Sequence, residues 1–271
     1  MSKVDPLVEL LGHARLERRQ IAALPKDLAP RTEEAGYRIQ EELTEWLAGA
    51  GLGPLGGYKV GLVSASMRAS VGGQAVLGVD CPVYGAIPRK CIFERRAELA
   101  FSDFIRPYVE GEIAVRLGRD LDPADGPFTI DSVAAHVSDC FAAIELVDWR
   151  MQYMTFPPPL APLMIADSGS NWGCVVGAPV RDWRSLDLSA LSGAMTVDGR
   201  EVGRGTGGDL QGNPLNVLAW LANKLRERGR GLRAGEIVLL GSVTPSDGKF
   251  RRGAEVVVEW EALGAVSARF N

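Results

Sequence analysis

Val109-Glu110-Gly111-Glu112-Ile113-Ala114-Val115 reads as a β-strand, apolar and β-branched except for two glutamates at i and i+2. Side chains two apart on a strand point to the same face, so Glu110 and Glu112 stand side by side. Simple alternation allows a solvent face on an edge strand, with Val109, Ile113 and Val115 turned to the core. Further on, Ala143-Ile144-Glu145-Leu146-Val147 holds a third carboxylate inside an apolar run. The segment before it, Asp131 to Cys140, reads as a helix that delivers Glu145 to the interior, with a salt bridge to Arg150 as the plain alternative. Buried like charges are costly without a positive partner. A hard divalent cation would settle all three carboxylates at once, which points to a Mg²⁺- or Mn²⁺-dependent enzyme.

Outward from this stretch, short strands dominate. Tyr58–Val63, Leu99–Ser102, Cys174–Val176, Met195–Val197, Ile237–Leu240 and Val256–Trp260 are further candidates. Pro214 to Arg228 has proline in a first-turn position and an apolar face of Leu215, Leu218, Leu221, Ala222 and Leu225, which predicts a helix. Two more helices precede the strands. Residues 5–23 carry an amphipathic pattern, and a second helix starts at a Thr32 N-cap with Glu33 and Glu34 in its first turn. The expected fold is α+β: a mixed, mostly antiparallel β-roll or barrel in residues 58–271, with an N-terminal helical cap in residues 1–57. Gly51-Leu52-Gly53-Pro54-Leu55-Gly56 matches a dinucleotide-binding pattern literally, but it follows a helix and precedes a strand, the reverse of the working order.

Composition narrows the function. A net charge of -4 with no long basic block argues against nucleic acid or an anionic membrane as partner. No apolar run is long enough to span a bilayer, and Met1 to Pro6 has no apolar signal core, so a cytoplasmic location is the default expectation. The four cysteines show no C-x-x-C pair and no zinc spacing, and read as reduced, buried thiols. With two histidines, His13 and His136, both in segments that read as helix, acid–base work falls to Lys, Asp and Glu.

Lys59 stands in Gly57-Tyr58-Lys59-Val60-Gly61-Leu62, between an aromatic and glycines that allow close approach of a ligand. Desolvated, it would lose its proton more easily; charged, it would bind a carboxylate; the plain alternative is a snorkelling surface lysine. Four turn-rich stretches accompany it: Leu77 to Gly85 with Asp80 and Tyr84, Ile165 to Asn171 with Asp167, Ser168 and Ser170, Gly203 to Gly208, and Leu240 to Pro245 with Ser242 and Thr244. Each alone is a turn. Together with the acidic trio they suggest a pocket lined by hydroxyls and backbone amides.

These motifs resemble a known family. Gly57 to Leu62, Leu77-Gly78-Val79-Asp80 with Pro82-Val83-Tyr84-Gly85, Glu110 to Ala114 with Leu117-Gly118-Arg119-Asp120-Leu121, Ala143 to Asp148, Asn213 to Leu225 and Leu232 to Ser242 are similar to the hydratase/decarboxylase branch of the fumarylacetoacetate hydrolase superfamily. The resemblance covers nearly the whole chain. It implies the β-roll of that family, Mg²⁺ or Mn²⁺ held by Glu110, Glu112 and Glu145, and Lys59 beside the substrate carboxylate or acting as acid or base, with Asp80 as a second proton carrier. It implies a short 2-hydroxy-dienoate or 2-oxo-enoate substrate, bound by the residues of the loops (Tyr84, Asp167, Ser168, Ser170, Ser242, Thr244), and a homo-oligomer, in some members a decamer.

The leading expectation is therefore a metal-dependent hydratase. The alternatives are a 2-oxo-3-enedioate decarboxylase, which needs the same enolate stabilisation, and an acylpyruvate-type C–C hydrolase. Hydrolases of the superfamily carry a Glu–His pair on an N-terminal lid, and His13 is the lone histidine before the sheet begins. A non-catalytic partner subunit is the reading from another class; intact Glu110, Glu112, Glu145 and Lys59 argue against it. Two departures bear on the substrate. Asp167-Ser168-Gly169-Ser170 replaces the family's Asp-Asn-Ala-Ser, and the segment from Trp149 to Ile165, with Tyr153, Phe156 and a proline run, is expected to reshape the pocket. After Thr244-Pro245 the usual apolar continuation becomes Ser246-Asp247-Gly248-Lys249.

Overall fold

The structure, a computed structural model, describes residues 4–25, 27–64, 68–69, 71–79, 81–244 and 250–271. Asp80, Asp247 and Lys249 lie outside the described residues. The long apolar alternation around Glu110 does what its period requires. It forms β5 (Pro107–Leu117), which pairs along its whole length with β6 (Val137–Asp148). Around this hairpin stand β1 (Leu55–Gly61), β2 (Val83–Pro88), β3 (Ile92–Glu94), β7 (Asn171–Val176) and β10 (Ile237–Ser242), in the sheet order β2-β1-β10-β5-β6-β7-β3. A second sheet runs β4-β12-β11-β8-β9, from β4 (Arg96–Leu99), β8 (Ser192–Val197), β9 (Arg200–Thr206), β11 (Glu255–Trp260) and β12 (Gly264–Phe270).

Most pairings are antiparallel, but β1–β10, β3–β7 and β4–β12 are parallel, so both sheets are mixed. The larger sheet is strongly curled and does not close. Five strand spacings separate β2 from β7, roughly 24 Å on a flat sheet. Yet Gly85 of β2 packs against the carbonyl of Ser168, just before β7, and a side chain at Gly85 would collide with it. The curl gives the sheet two buried faces. Val109, Ile113 and Val115 join the main core toward the smaller sheet, where Gly111 lies against Thr244 and Val258. The opposite face holds a separate cluster that includes Ala114, Phe141, Ala143, Cys174 and Leu239, and the three glutamates continue this face.

Two expectations are corrected. Glu110 and Glu112 are not on an edge strand, because β5 lies between β10 and β6. The helix expected over 131–140 is a single turn, Ile130–Ala134, closed by a Thr129–Ser132 capping box, and from Val137 the chain pairs with Leu117 and runs on as strand. Pairing with β5 overrides the local helical pattern there. The short strands β2, β3, β9 and β12 had no clear sequence signal, and the strand expected at Leu99–Ser102 ends at Leu99, with a 3₁₀ turn at Phe101–Asp103.

The N-terminal helices are α1 (Pro6–Glu17), N-capped by Asp5, and α2 (Glu33–Leu47), N-capped by Thr32 as its sequence predicts. They touch closely, with Gly12 against the Trp46 ring. Gln40 on α2 donates its amide to the carbonyls of Tyr84 and Ile165, tying α2 to β2 and to the short helix Ala161–Ala166. The Gly51–Gly56 stretch is a helix end leading into β1, as its order in the chain required. Cys91, Cys140 and Cys174 are buried thiols, and Cys81 is partly buried.

Candidate active site

The β5–β6 register sets Glu110 directly opposite Glu145, with Glu112 next along the same face. One carboxylate oxygen from each lies within 4.8 Å of the others. Each of the two fully buried glutamates has one oxygen tied down and one free. Glu112 Oε2 accepts the Gly241 N–H at 2.7 Å, and Glu145 Oε1 accepts Asn171 Nδ2 at 2.9 Å while facing Lys59 Nζ at 3.2 Å. Among the described residues, Glu112 Oε1 and Glu145 Oε2 are buried without a partner. The Gly241 donor depends on a register shift between Leu239 and Ser242 and on a φ of +106°, with Val63 where a side chain would be. Only glycine fits there.

Lys59 comes from β1, yet reaches Glu145 on β6 because the sheet curls. Gly61 and Gly169 leave room for its ammonium; a Cβ on either would stand about 3 Å from Nζ. Around Gly169 the chain stays in the left-handed region, at Ser168 (φ 52°), Gly169 (φ 62°) and Ser170 (φ 60°). Such strain at non-glycine residues persists where packing over-determines it.

The electrostatics favour the charged one of the two readings of Lys59. Burial pulls Lys59 down, but Glu145, Glu110 and Glu112 together outweigh it and hold its ammonium above the ordinary lysine value. Lys59 is thus a buried cation, not a desolvated free base. Burial, then Glu145, push Glu110 up to about 7 against the pull of Lys59. Burial, Glu145 and Glu110 push Glu112 well above the ordinary carboxylate range. A trio that resists ionising together, made of oxygen donors alone and with two of its oxygens unpartnered, fits a hard divalent cation. The Asn171 Oδ1 atom beside it is also unpartnered.

The trio opens on a cavity of about 620 Å³ whose lining includes Lys59, Glu110, Ser170, Ser242 and Thr244. Several hydroxyls there are already engaged: Ser242 Oγ donates to the Thr244 carbonyl at 2.6 Å, and Thr244 Oγ1 accepts the Gly111 N–H at 2.9 Å. Asp167 and Ser168 are buried beside the cavity and do not line it. Asp167 pairs with Arg150 at 3.0 Å and takes the Tyr153 hydroxyl at 3.1 Å, so Arg150 is committed to Asp167 and not to Glu145. Tyr84 is placed elsewhere. It stacks on Tyr37 at 4.1 Å and lines a separate cavity of about 180 Å³ with Tyr58 and Arg230, because Tyr58 and Lys59 point to opposite faces of β1. Of the Gly203–Gly208 stretch, none lines the acidic cavity, though Asp209 after it does. Neither histidine lines it: His13 bonds Glu17, and His136 sits at 2.9 Å from the Ser132 carbonyl.

Sequence reasoning missed Asn171 and Asp209. The signal for Asn171 was a lone amide opening the apolar run Trp172–Val176. Its carbonyl is held by Arg15 at 2.8 Å and Arg150 at 3.3 Å, which fixes the side chain on Glu145. The reshaped 149–165 segment does reach the cavity, through Trp149, Tyr153 and Met164.

Comparison with known proteins finds relatives over nearly the whole chain. The family described as fumarylacetoacetate (FAA) hydrolase, C-terminal, matches residues 88–271. A 2-keto-4-pentenoate hydratase of Paraburkholderia phymatum is 31% identical over 100% of this chain and 98% of its own. A 2-oxo-hept-4-ene-1,7-dioate hydratase of Escherichia coli is 31% identical over 97% of this chain and 96% of its own. The structure of 4-oxalocrotonate decarboxylase from Pseudomonas putida G7, complexed with magnesium and adipate, superimposes with a TM-score of 0.87 at 28% identity, covering 99% of this chain and 97% of that one.

Proposed function

This chain belongs to the fumarylacetoacetate hydrolase family, and from that premise we propose that it is a divalent-metal-dependent hydro-lyase adding water to a 2-hydroxy-dienoate or 2-oxo-alkenoate by way of an enolate. The observation that carries this reading is that Glu110, Glu112 and Glu145 each bring a carboxylate oxygen within 4.8 Å of the others, and that Glu112 and Glu145 each keep one buried oxygen with no partner among the described residues. Glu110, Glu112 and Glu145 would hold Mg²⁺ or Mn²⁺. When bound, such a cation acts as a Lewis acid that stabilises negative charge developing on the substrate oxygen.

The chain's own residues do the rest. Asn171 and the Gly241 N–H orient Glu145 and Glu112. Lys59, charged and 3.2 Å from Glu145, attracts the substrate carboxylate and can deliver a proton to the conjugated chain. Ser170, Ser242 and Thr244 border the space the substrate would fill. A cytoplasmic homo-oligomer, with residues 1–57 as a helical cap on the catalytic unit, completes the proposal and rests on the family resemblance. Among the described residues no helix is long and apolar enough to cross a membrane.

The test is a Mg²⁺-supplemented assay of 2-hydroxy-dienoates, reading dienol absorbance, the hydrated product by mass spectrometry, and CO₂. Loss of the dienol with water gained and no CO₂ supports hydration. The likeness to 4-oxalocrotonate decarboxylase favours decarboxylation as the second reading, and stoichiometric CO₂ from an enedioate would establish it. C–C hydrolysis is disfavoured by the position of both histidines away from the cavity.

A further inference from the structure

The face that carries the glutamates changes character along its length. Along β6 and just past its end, Glu145, Val147 and Trp149 follow at two-residue spacing, and on β5 Tyr108 is the next residue after Glu110 in the same series, directly opposite Val147. At the rise of a strand, Val147 lies about 7 Å beyond Glu145. The cavity is walled there by Val147, Trp149, Tyr153 and Met164. This wall is fixed in place: Trp149 packs between Tyr108 (centroids 5.3 Å) and Tyr153 (6.1 Å), and the Tyr153 hydroxyl is anchored by Asp167 and by Ser170 at 3.0 Å. Besides the hydroxyls of Ser170, Ser242 and Thr244, the cavity wall outside the acid cluster carries a further carboxylate, Asp209, which takes the N–H and hydroxyl of Thr206. Among the described residues that line the cavity, Lys59 is the one cation, and it stands at the glutamate end, 3.2 Å from Glu145, away from this wall.

Resting on the enolate-forming reading above, we propose that the substrate is a monocarboxylic 2-oxo or 2-hydroxy-dienoic acid bearing an alkyl or aryl group at its far end, and that Val147, Trp149, Tyr153 and Met164 select that group. With the carboxylate and 2-oxygen at the glutamates, the far carbons of an extended substrate fall against this wall. An apolar terminus gains from burial there. A second carboxylate would be stripped of water against apolar side chains, with Asp209 adding repulsion.

Binding of unreactive, saturated 2-oxo acids to the full-length Mn²⁺-loaded protein, measured by calorimetry, tests the idea apart from turnover. Three ligands are compared: 2-oxopentanoate, 2-oxo-6-phenylhexanoate and 2-oxoheptanedioate. The phenyl compound is expected to bind about tenfold or more tighter than 2-oxopentanoate, and the diacid no tighter than 2-oxopentanoate. Trp149→Ala should shrink the phenyl advantage, and Trp149→Phe should restore most of it. Tighter binding of the diacid than of the phenyl compound, or a phenyl advantage untouched in both variants, overturns the proposal. Mn²⁺-dependent binding of 2-oxopentanoate tests the head site separately. If it binds and the tail preference is absent, only the tail inference falls; if no 2-oxo acid binds, the head-site reading falls and takes this inference with it.

Discussion

Asn171 donates its side-chain amide to Glu145 Oε1 at 2.9 Å, while Glu145 Oε2 is buried with no partner among the described residues. The amide is a positioning group, and Arg15 and Arg150 hold the residue in place through its backbone carbonyl. We expect Asn171→Ala to weaken Mn²⁺ binding by about 10–100-fold, as loss of such a supporting hydrogen bond does. Titration calorimetry with Mn²⁺ checks this, and an unchanged affinity would remove Asn171 from the site.

Glu110→Ala should abolish metal-dependent turnover while the far-ultraviolet circular dichroism stays native, and EDTA should do the same to the unaltered protein. Thermal shifts offer a second readout. Metal at a hundred times its Kd should stabilise the unaltered protein by about 2.7 kcal/mol, and Glu112→Gln should lose most of that shift. Full activity in EDTA would sink the metal assignment.

Lys59→Ala should reduce turnover by roughly 10²–10⁴-fold, the range expected for a positioned proton donor. It should still bind Mn²⁺, because the three carboxylates remain. Unchanged kinetics would show that the Lys59–Glu145 pair at 3.2 Å is structural only.

The raised Glu110 carboxyl makes metal-free stability depend on pH. Burial and Glu145 lift it from the ordinary 4.5 to about 7. Between these values the folded state holds a proton that the unfolded state has lost, so this contribution is full below about pH 4.5 and falls away as pH rises through 7. Metal-free protein should therefore lose this increment of stability from pH 5 to pH 8. Added Mn²⁺ should displace the proton, so proton uptake by buffers of different ionisation enthalpy should be seen in calorimetry near pH 6.

Asp167 should behave as a structural group. It compensates the buried Arg150 guanidinium at 3.0 Å and accepts from Tyr153 and Ser170. Asp167→Asn leaves that charge unpaired, at an expected cost of about 3–5 kcal/mol. Urea denaturation measures this; a variant of unchanged stability with a raised KM would return Asp167 to substrate contact.

Much of the site was legible in the chain because it lies in local periodicity. The spacing of Glu110 and Glu112 places them on one face wherever the strand goes, and Thr32 caps α2 as a threonine before two glutamates should. What the chain could not show depended on pairing between distant segments. Val137 to Cys140 joins β6 because β5 offers it a partner, against a local pattern that reads as helix. Arg150 could have met Glu145 or Asp167, and only the packing of the 149–171 segment decides for Asp167.

The sequence by itself determined that Glu110 and Glu112 share one face of a strand and that a third carboxylate, Glu145, stands in an apolar run, so that burying the three together would require a common electrostatic solution. The tertiary structure alone decided which groups share that solution. The curl of the seven-stranded sheet carries Lys59 from β1 to Glu145 on β6, while Tyr84, paired with Val60 on the opposite face, lines a different cavity. Strand period sets the face of a side chain, but the curvature of the whole sheet sets which side chains meet across it.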